Sequence, residues 1–287
     1  MQALYDVPAP AKLNLFLHIT GRRSDGYHLM QSVFLLLDWH DTLHFERLQT
    51  SDISRIDLGS TESTEALPDE DLTIRAARLL QQATGCTQGA RISLLKRLPS
   101  QAGMGGGSSD AATCLLALNR LWRTGLSRAA LMKLGLQLGA DVPFFLFGDN
   151  AWAEGIGEAL QPISVPEQSY WVVKPQAGLP TARIFTDPHL SRSTKPATMQ
   201  GFAEHSASGQ TIFGRNDLQP VAQMLCPEIT ACIDWLKDQY LDARMTGSGS
   251  AVFAPSKAAN SLQPPPHGWL VHLCRSLSVH PLKNWAS

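Results

Sequence analysis

A chain of 287 residues that is 44% hydrophobic is long enough to bury a substantial core, and its length suits two modest domains. The formal net charge of −1 excludes a basic field for a nucleic-acid backbone, so any phosphate recognition has to be local, geometric and aimed at a small anionic ligand. Five cysteines, Cys86, Cys114, Cys226, Cys232 and Cys274, are odd in number and lack C-x-x-C spacing, which argues against a disulfide framework or a zinc site and for reduced, mostly buried thiols.

In chain order, residues 13–19 and 33–37 read as buried strands, and residues 42–47 alternate in strand fashion after a turn at 38–41. Residues 49–69 are rich in Ser, Thr, Asp and Glu and read mostly as loop. A helix is predicted over about 71–82, with Leu72, Ala76, Leu79 and Leu80 on its inner face, followed by a strand at 90–95. Next comes Pro99-Ser100-Gln101-Ala102-Gly103-Met104-Gly105-Gly106-Gly107-Ser108-Ser109-Asp110, a glycine-rich loop that runs into an amphipathic helix. Its stripe is Leu115, Leu118 and Leu121, widened by Leu116 and Trp122 and ended by Gly125. Ser127 caps a further helix that Gly139 ends, and residues 151–154 and 160–163 pair as strands that close a first domain near Pro162.

The second half is predicted to hold strands at 170–174, 243–245, 251–254 and 270–274 and helices near 181–185, 218–224 and 227–239. The polar stretch 191–210 and the proline run 263–268 read as loops. This order is that of an α+β protein without internal repeats. No apolar run approaches the roughly 18 residues of a membrane span, and the first motif begins too near Met1 for a cleaved targeting peptide, so a cytoplasmic protein is expected.

The glycine loop carries the strongest chemical signal. Glycines reach positive φ and let backbone approach an anion closely, while Ser108, Ser109 and Asp110 mark a helix start whose free N–H groups favour negative charge. The loop is neither a Walker A nor a Rossmann loop, because no Lys-Ser or Lys-Thr follows it and no G-x-G-x-x-G register fits. Taken alone, it still admits the lesser reading of a flexible turn before an ordinary helix, since glycine clusters are common punctuation.

Three further segments bear on that choice: Pro8-Ala9-Pro10-Ala11-Lys12-Leu13-Asn14-Leu15 leading to Asp25-Gly26-Tyr27-His28, then Gly139-Ala140-Asp141-Val142-Pro143, then Arg244-Met245-Thr246-Gly247-Ser248-Gly249-Ser250. Together with the glycine loop they resemble the GHMP small-molecule kinases over residues 8–253. The resemblance implies a two-domain α+β fold. A ribosomal-S5-domain-2-like N-terminal domain (1–162) would carry the ATP loop and catalytic residues, and a ferredoxin-like α/β C-terminal domain (163–287) the substrate side. ATP would be the co-substrate, with Mg²⁺ expected and no metal ligand assigned within the protein.

By the same resemblance, Pro99, Ser100, Gln101, Ala102, Gly103, Met104, Gly105, Gly106, Gly107, Ser108 and Ser109 would hold the triphosphate, the two serine hydroxyls near phosphate or Mg²⁺ oxygens. The family usually has glycine where this chain has Gln101. That residue must therefore take a conformation open to non-glycine residues or turn its side chain away from the nucleotide. Lys96 and the Asp71-Leu72 segment would face adenosine, although the family often has asparagine at the Asp71 position. Asp141, between Gly139 and Pro143, suits a first helical turn and becomes the catalytic aspartate, with Lys12 as its charged partner.

The Asp25-Gly26-Tyr27-His28 segment narrows the resemblance to members of the family that phosphorylate a cytidine-diphosphate-linked alcohol. Tyr27 and Phe185 would stack on the base and His28 would bond its edge. Asn14 would hold the polyol hydroxyls or Lys12, Thr181 would touch substrate, and Gly247 and Ser248 would fix its phosphates. The protein would act as a monomer or homodimer, without nucleic acid or membrane. Two alternatives stand beside this: another kinase of the family acting on homoserine, mevalonate or a sugar, and a nucleotide-binding sensor of the same fold without turnover.

Overall fold

The computed structural model describes residues 2–60, 67–208, 212–239, 241–256 and 262–286. It opens on two long antiparallel strands, β1 (Ala3–Arg22) and β2 (His28–Leu48). The first half continues with β3 (Ile53–Ser60), α1 (Leu72–Thr84), β4 (Gly89–Lys96), α2 (Gly106–Trp122), α3 (Arg128–Leu138), α4 (Val142–Phe147) and the antiparallel pair β5 (Ala151–Glu154) and β6 (Ala159–Pro162). The second half holds β7 (Ser169–Lys174), α5 (Thr181–Thr186), α6 (Met199–Ala207), α7 (Gln219–Leu225), α8 (Pro227–Lys237), β8 (Arg244–Met245), β9 (Val252–Pro255) and β10 (Leu270–Leu277).

The strands join in the order β3-β4-β2-β10-β7-β9-β8, with β1 and β5 also pairing on β2. β10 links the halves: its start lies against β7, and its end places Ser276 and Leu277 opposite Leu37 and Leu36 of β2. That link explains an irregularity. Between the pairs Pro10↔His40 and Lys12↔Leu36, β1 advances two residues while β2 advances four, so β2 leaves β1 where β10 meets it. One-sided pairing also accommodates Pro8 and Pro10, which have no N–H to offer a second neighbour.

Helices α1, α2 and α4 pack on β1, β2 and β4 around Leu36, Phe45, Leu115 and Phe144, while α7 and α8 pack on β7–β9 around Val173, Ile229 and Ile233. Leu17 and Ile19 of β1 belong to this second core, so the first strand serves both. A third cluster contains Leu98, just ahead of the glycine loop, and Ala102 and Met104 within it, beside Leu13, Val172 and Phe253. The loop is therefore held by buried apolar residues set among its glycines.

Most predicted elements are present, and four differ for physical reasons. The expected turn at 38–41 is ladder: Asp41 is fully buried, pairs with Ala9 and accepts the N–H groups of Arg97 and Leu98 at 2.6 and 2.8 Å. Within 49–69, where loop was expected, β3 runs parallel to β4; the 61–66 part of that stretch lies outside the described residues. In 191–210, α6 forms with Thr198 as its N-cap and buries Phe202, while 209–210 lie outside the described residues. Finally, α2 starts earlier and ends sooner than predicted. Gly105 (φ +73°) turns the chain into it, and Arg123 (φ +58°) leaves it because Asn119 Oδ1 draws in Thr124 Oγ1 and the Leu126 N–H. The five cysteines are free thiols, four of them buried. Among the described residues no helix is long and apolar enough to cross a membrane.

Candidate active site

Strand alternation puts Lys12 and Asn14 on one face of β1, and that face floors a cleft of about 860 Å³. Its walls are the start of α1, the loop through Ser108, the Ala140-Asp141 corner, residues 179–181 with Phe185, and residues 247–249. Asp141 is the N-cap of α4 and leaves its side chain out of any capping bond, with Pro143 fixing the first turn. Lys12 Nζ lies 3.4 Å from Asp141 Oδ2, the lysine side chain 3% exposed and the aspartate 34%. The cation is thus set within the protein and the carboxylate faces the cleft.

Lys12 is held by further groups. Its ammonium donates to Asn14 Oδ1 and lies 5.2 Å from the Phe34 ring centroid, and its backbone N–H donates to the Met104 carbonyl at 3.0 Å. Asn14 Nδ2 donates to Ser32 Oγ at 2.9 Å, and Ser32 Oγ to the Phe16 carbonyl at 2.6 Å. The Asn14 amide is therefore occupied with Lys12 and the strand behind it. Its backbone N–H donates to Thr246 Oγ1 at 2.9 Å, tying β1 to the third glycine segment.

Backbone meets backbone where the two glycine segments touch. The Ser250 N–H donates to the Gln101 carbonyl at 3.0 Å and that of Ala251 to the Ala102 carbonyl at 3.3 Å. A Cβ on Gly103 would fall 2.3 Å from the Thr246 carbonyl oxygen, and one on Gly247 would fall 2.6 Å from that of Gly103. Gly105 has no room either, since a Cβ there would lie 2.9 Å from the Phe145 ring. Gln101 takes φ +51°, in the left-handed region that favours glycine, and its side-chain amide lies against Gly178. Because the Ser109 N–H is the first to close an intrahelical bond, to Gly105, the N–H groups of Gly106, Gly107 and Ser108 are left for an anion in the cleft.

Ser108 lines the cleft; Ser109 does not. It is fully buried and its hydroxyl has no partner among the described residues, so of the two serines Ser108 is the one that can reach a ligand there. Lys96 borders the cleft between two buried carboxylates, at 2.8 Å from Asp110 Oδ2 and in contact with Asp41. Burial alone would lower the Lys96 pKa, but Asp110 and Asp41 carry it above its ordinary value. Burial, with Asp41 adding repulsion, pushes the Asp110 carboxyl up against the pull of Lys96. An ammonium has three donors, so Lys96 retains one N–H for the cleft while its charge is already balanced. Asp71 caps α1 by accepting from Thr73 and Ile74, and it pairs with Arg55 at 3.1 Å.

At the other end the structure brings His28 against Phe185, ring centroids 5.2 Å apart and planes 35° from parallel. Tyr27 is 60% exposed, and neither Tyr27 nor His28 lines the cleft itself. The Thr181 and Ser248 hydroxyls are 2.6 Å apart, which joins the start of α5 to the third glycine segment. Sequence reasoning missed Asn216, whose Nδ2 donates to the Met245 and Gly247 carbonyls at 2.8 Å and holds that segment from behind. It also missed Ser32 and Arg192, and it gave Thr246 no role beyond its place in the third glycine segment. Asn216 had one signal, a polar Arg-Asn-Asp run just ahead of an apolar helix; Ser32 and Arg192 had none. Among the described residues no group of three or more His, Cys, Asp or Glu could hold a metal ion.

Comparison with known proteins follows these features. The family described as GHMP kinases N terminal domain matches residues 71–149, and GHMP kinases C terminal matches residues 198–263. A relative from Polaromonas naphthalenivorans (strain CJ2), named 4-diphosphocytidyl-2-C-methyl-D-erythritol kinase, is 58% identical over 99% of this chain and 97% of its own. A crystal structure of 4-(cytidine 5'-diphospho)-2C-methyl-D-erythritol kinase matches with a TM-score of 0.75 at 35% identity, covering 87% of this chain and 89% of that one. Homoserine kinase from Cytophaga hutchinsonii matches with a TM-score of 0.69 over 98% of this chain and 96% of its own, but at 15% identity it shares the fold alone.

Proposed function

The chain belongs to the GHMP kinases, and from that premise we propose that it transfers the terminal phosphoryl group of ATP to the 2-hydroxyl of 4-diphosphocytidyl-2-C-methyl-D-erythritol, in non-mevalonate isoprenoid synthesis. The observation that carries the chemistry is the Lys12–Asp141 pair, 3.4 Å apart on the cleft wall next to the free N-terminus of α2. Backbone N–H groups of 106–108 receive the triphosphate without a net charge of their own. The acceptor is a tertiary alcohol and a poor acid. Asp141 accepts or orients its proton, and the adjacent ammonium of Lys12 favours alkoxide character at the same oxygen. Phosphoryl transfer then depends mainly on keeping donor and acceptor in line, which two glycine segments locked to each other by backbone bonds are suited to do.

Mg²⁺ fits as an ion carried by the nucleotide. It needs only one or two protein oxygens beside those of the phosphates, and Ser108 supplies a hydroxyl on the cleft wall. When bound it would neutralise charge on the transferring phosphates. In this reading residues 1–162 hold ATP and the catalytic pair, and residues 163–287 complete the substrate side. Tyr27, His28 and Phe185 receive the cytidine end, whose binding energy positions a distant alcohol. Five free thiols suit a reducing cytoplasm, where the enzyme would work as a monomer or homodimer.

The test is ADP release with a panel of alcohols: the cytidine-diphosphate-linked methylerythritol, free methylerythritol, homoserine and mevalonate. Turnover is expected with the first alone. Comparable turnover with homoserine or mevalonate would move the chain to another branch of the family.

A further inference from the structure

Arg192 lies between α5 and α6, in a stretch whose sequence suggested only loop. Its guanidinium is fixed on several sides: Nη1 donates to the Leu190 carbonyl at 2.9 Å, and Nη2 to those of Asp187 and Phe185 at 2.7 and 3.3 Å. A further donor, Nε–H, points at Nε2 of His28 at 3.1 Å. A guanidinium has only donors and does not lose its proton in proteins, so His28 Nε2 must present a lone pair. A neutral imidazole that accepts at Nε2 carries its proton on Nδ1. An imidazolium would instead set two N–H groups against each other. Burial, and then the charges of Arg192 and Arg22, also hold the His28 pKa below its ordinary value. Among the described residues Nδ1 has no partner and is not sealed from solvent, and the ring lies against Phe185 on the cleft wall.

We propose that Arg192 is a positioning residue that fixes His28 as an Nδ1–H donor, and that this donor makes the site prefer cytosine over uracil. Cytosine N3 is an acceptor, whereas uracil N3 carries a hydrogen. The same Nδ1–H completes a bond with one base and faces a second donor on the other, leaving both unpaired. The second half rests on the proposed function, that the acceptor ends in a cytidine diphosphate. The first half does not.

The tautomer is read without any ligand. In full-length protein labelled with [¹⁵N]histidine, two-bond ¹H–¹⁵N correlations distinguish the tautomers, and the His28 signal is identified by its loss in His28→Gln. The wild type is expected in the Nδ1–H form at pH 7. Arg192→Met should shift His28 toward the Nε2–H form, while Arg192→Lys, whose ammonium also only donates, should retain Nδ1–H. An Nε2–H form or an imidazolium in the wild type overturns the proposal whatever the substrate is. This holds even if Arg192→Met fails to fold through loss of its three carbonyl contacts.

Specificity is read from kcat/KM for cytidine- and uridine-diphosphate-linked methylerythritol. The wild type should favour the cytidine compound roughly ten- to a hundred-fold, the discrimination a well-placed hydrogen bond to a base supplies. That ratio should fall at least about fivefold in Arg192→Met, mostly through KM of the acceptor, and recover in Arg192→Lys. Equal use of both compounds by the wild type overturns the specificity half. So does an unchanged ratio in an Arg192→Met protein whose tautomer has shifted. Failure of the wild type to phosphorylate the cytidine compound at all would instead overturn the substrate reading, with the spectrum still deciding the role of Arg192.

Discussion

Where the glycine segments meet, a single added carbon on Gly103 would sit 2.3 Å from a carbonyl oxygen; at the far end of the site, Tyr27 keeps 60% of its surface exposed and its ring packs on no other aromatic side chain among the described residues. The first region is made of backbone, held by N–H to carbonyl bonds between residues 101–102 and 250–251 and backed by buried Ala102 and Met104. The second is made of side chains from the turn before β2, from α5 and from the stretch after it. Backbone construction suits a ligand group shared by every nucleoside triphosphate, because it offers position and polarity with few degrees of freedom. Side-chain construction suits a group that must be told from its near relatives.

The largest effect is expected at the Lys12–Asp141 pair between the two ends. Asp141→Asn should lower kcat by roughly two to four orders of magnitude, the range expected on losing a general base, with nucleotide affinity and melting temperature nearly unchanged. Lys12→Met should have a related effect, and the double mutant should be far less impaired than the product of the singles. Fully multiplicative losses would mean the two residues act separately. At the backbone end, Gly103→Ala combines a carbonyl clash with a φ of +71°, so a loss of about 3 kcal/mol in urea unfolding is expected, together with weaker ATP binding. A stable Gly103→Ala protein with normal ATP affinity would show that the segments do not need their close approach.

At the side-chain end, Tyr27→Ala should raise the acceptor KM about five- to a hundred-fold and leave ATP affinity and stability alone, since one aromatic face stacked on a base contributes on the order of 1–3 kcal/mol. An equal loss for ATP and acceptor would erase the distinction between the two regions. The smallest effect sharpens it: a Cβ on Gly106 meets Leu98 and Lys96 only at 3.4 to 3.6 Å, so Gly106→Ala should fold normally and change ATP affinity less than about threefold. Calorimetric titration of Gly103→Ala and Gly106→Ala side by side then separates the glycine that the loop contact requires from one that it merely tolerates.

How far each region could be read in the sequence follows from the same difference. Local rules placed α1 through its apolar face, α3 through Ser127, the β5–β6 pair and both glycine segments, because caps, turns and periodicity act within a few residues. They failed where a polar stretch is kept in regular structure by partners far along the chain. Asp38 to Asp41 stays in β2 because β10 and the Arg97-Leu98 backbone claim it, and β3 forms because β4 offers an edge. Lys12 and Asp141 were found through motifs. Asn14 was singled out too, but that its amide serves Lys12 emerges only when residues 12, 14 and 32 are side by side. Thr246 bonds Asn14 across 232 positions and Arg192 bonds His28 across 164, separations at which no periodicity survives.

The backbone bonds between residues 101–102 and 250–251 also set a schedule for the chain as it is made. About 150 residues must follow the glycine loop before its partner exists, which at about 5–20 residues per second takes roughly 8 to 30 seconds. During that interval α2 and its neighbours can assemble, but Gly103 has nothing to lie against and the loop end of the site is unfinished. A contact of such high sequence separation forms late, after its loop-closure cost has been met. The first half is therefore made long before the cleft is complete, and its wall at the glycine loop is finished only when the last strands of the second half close on it.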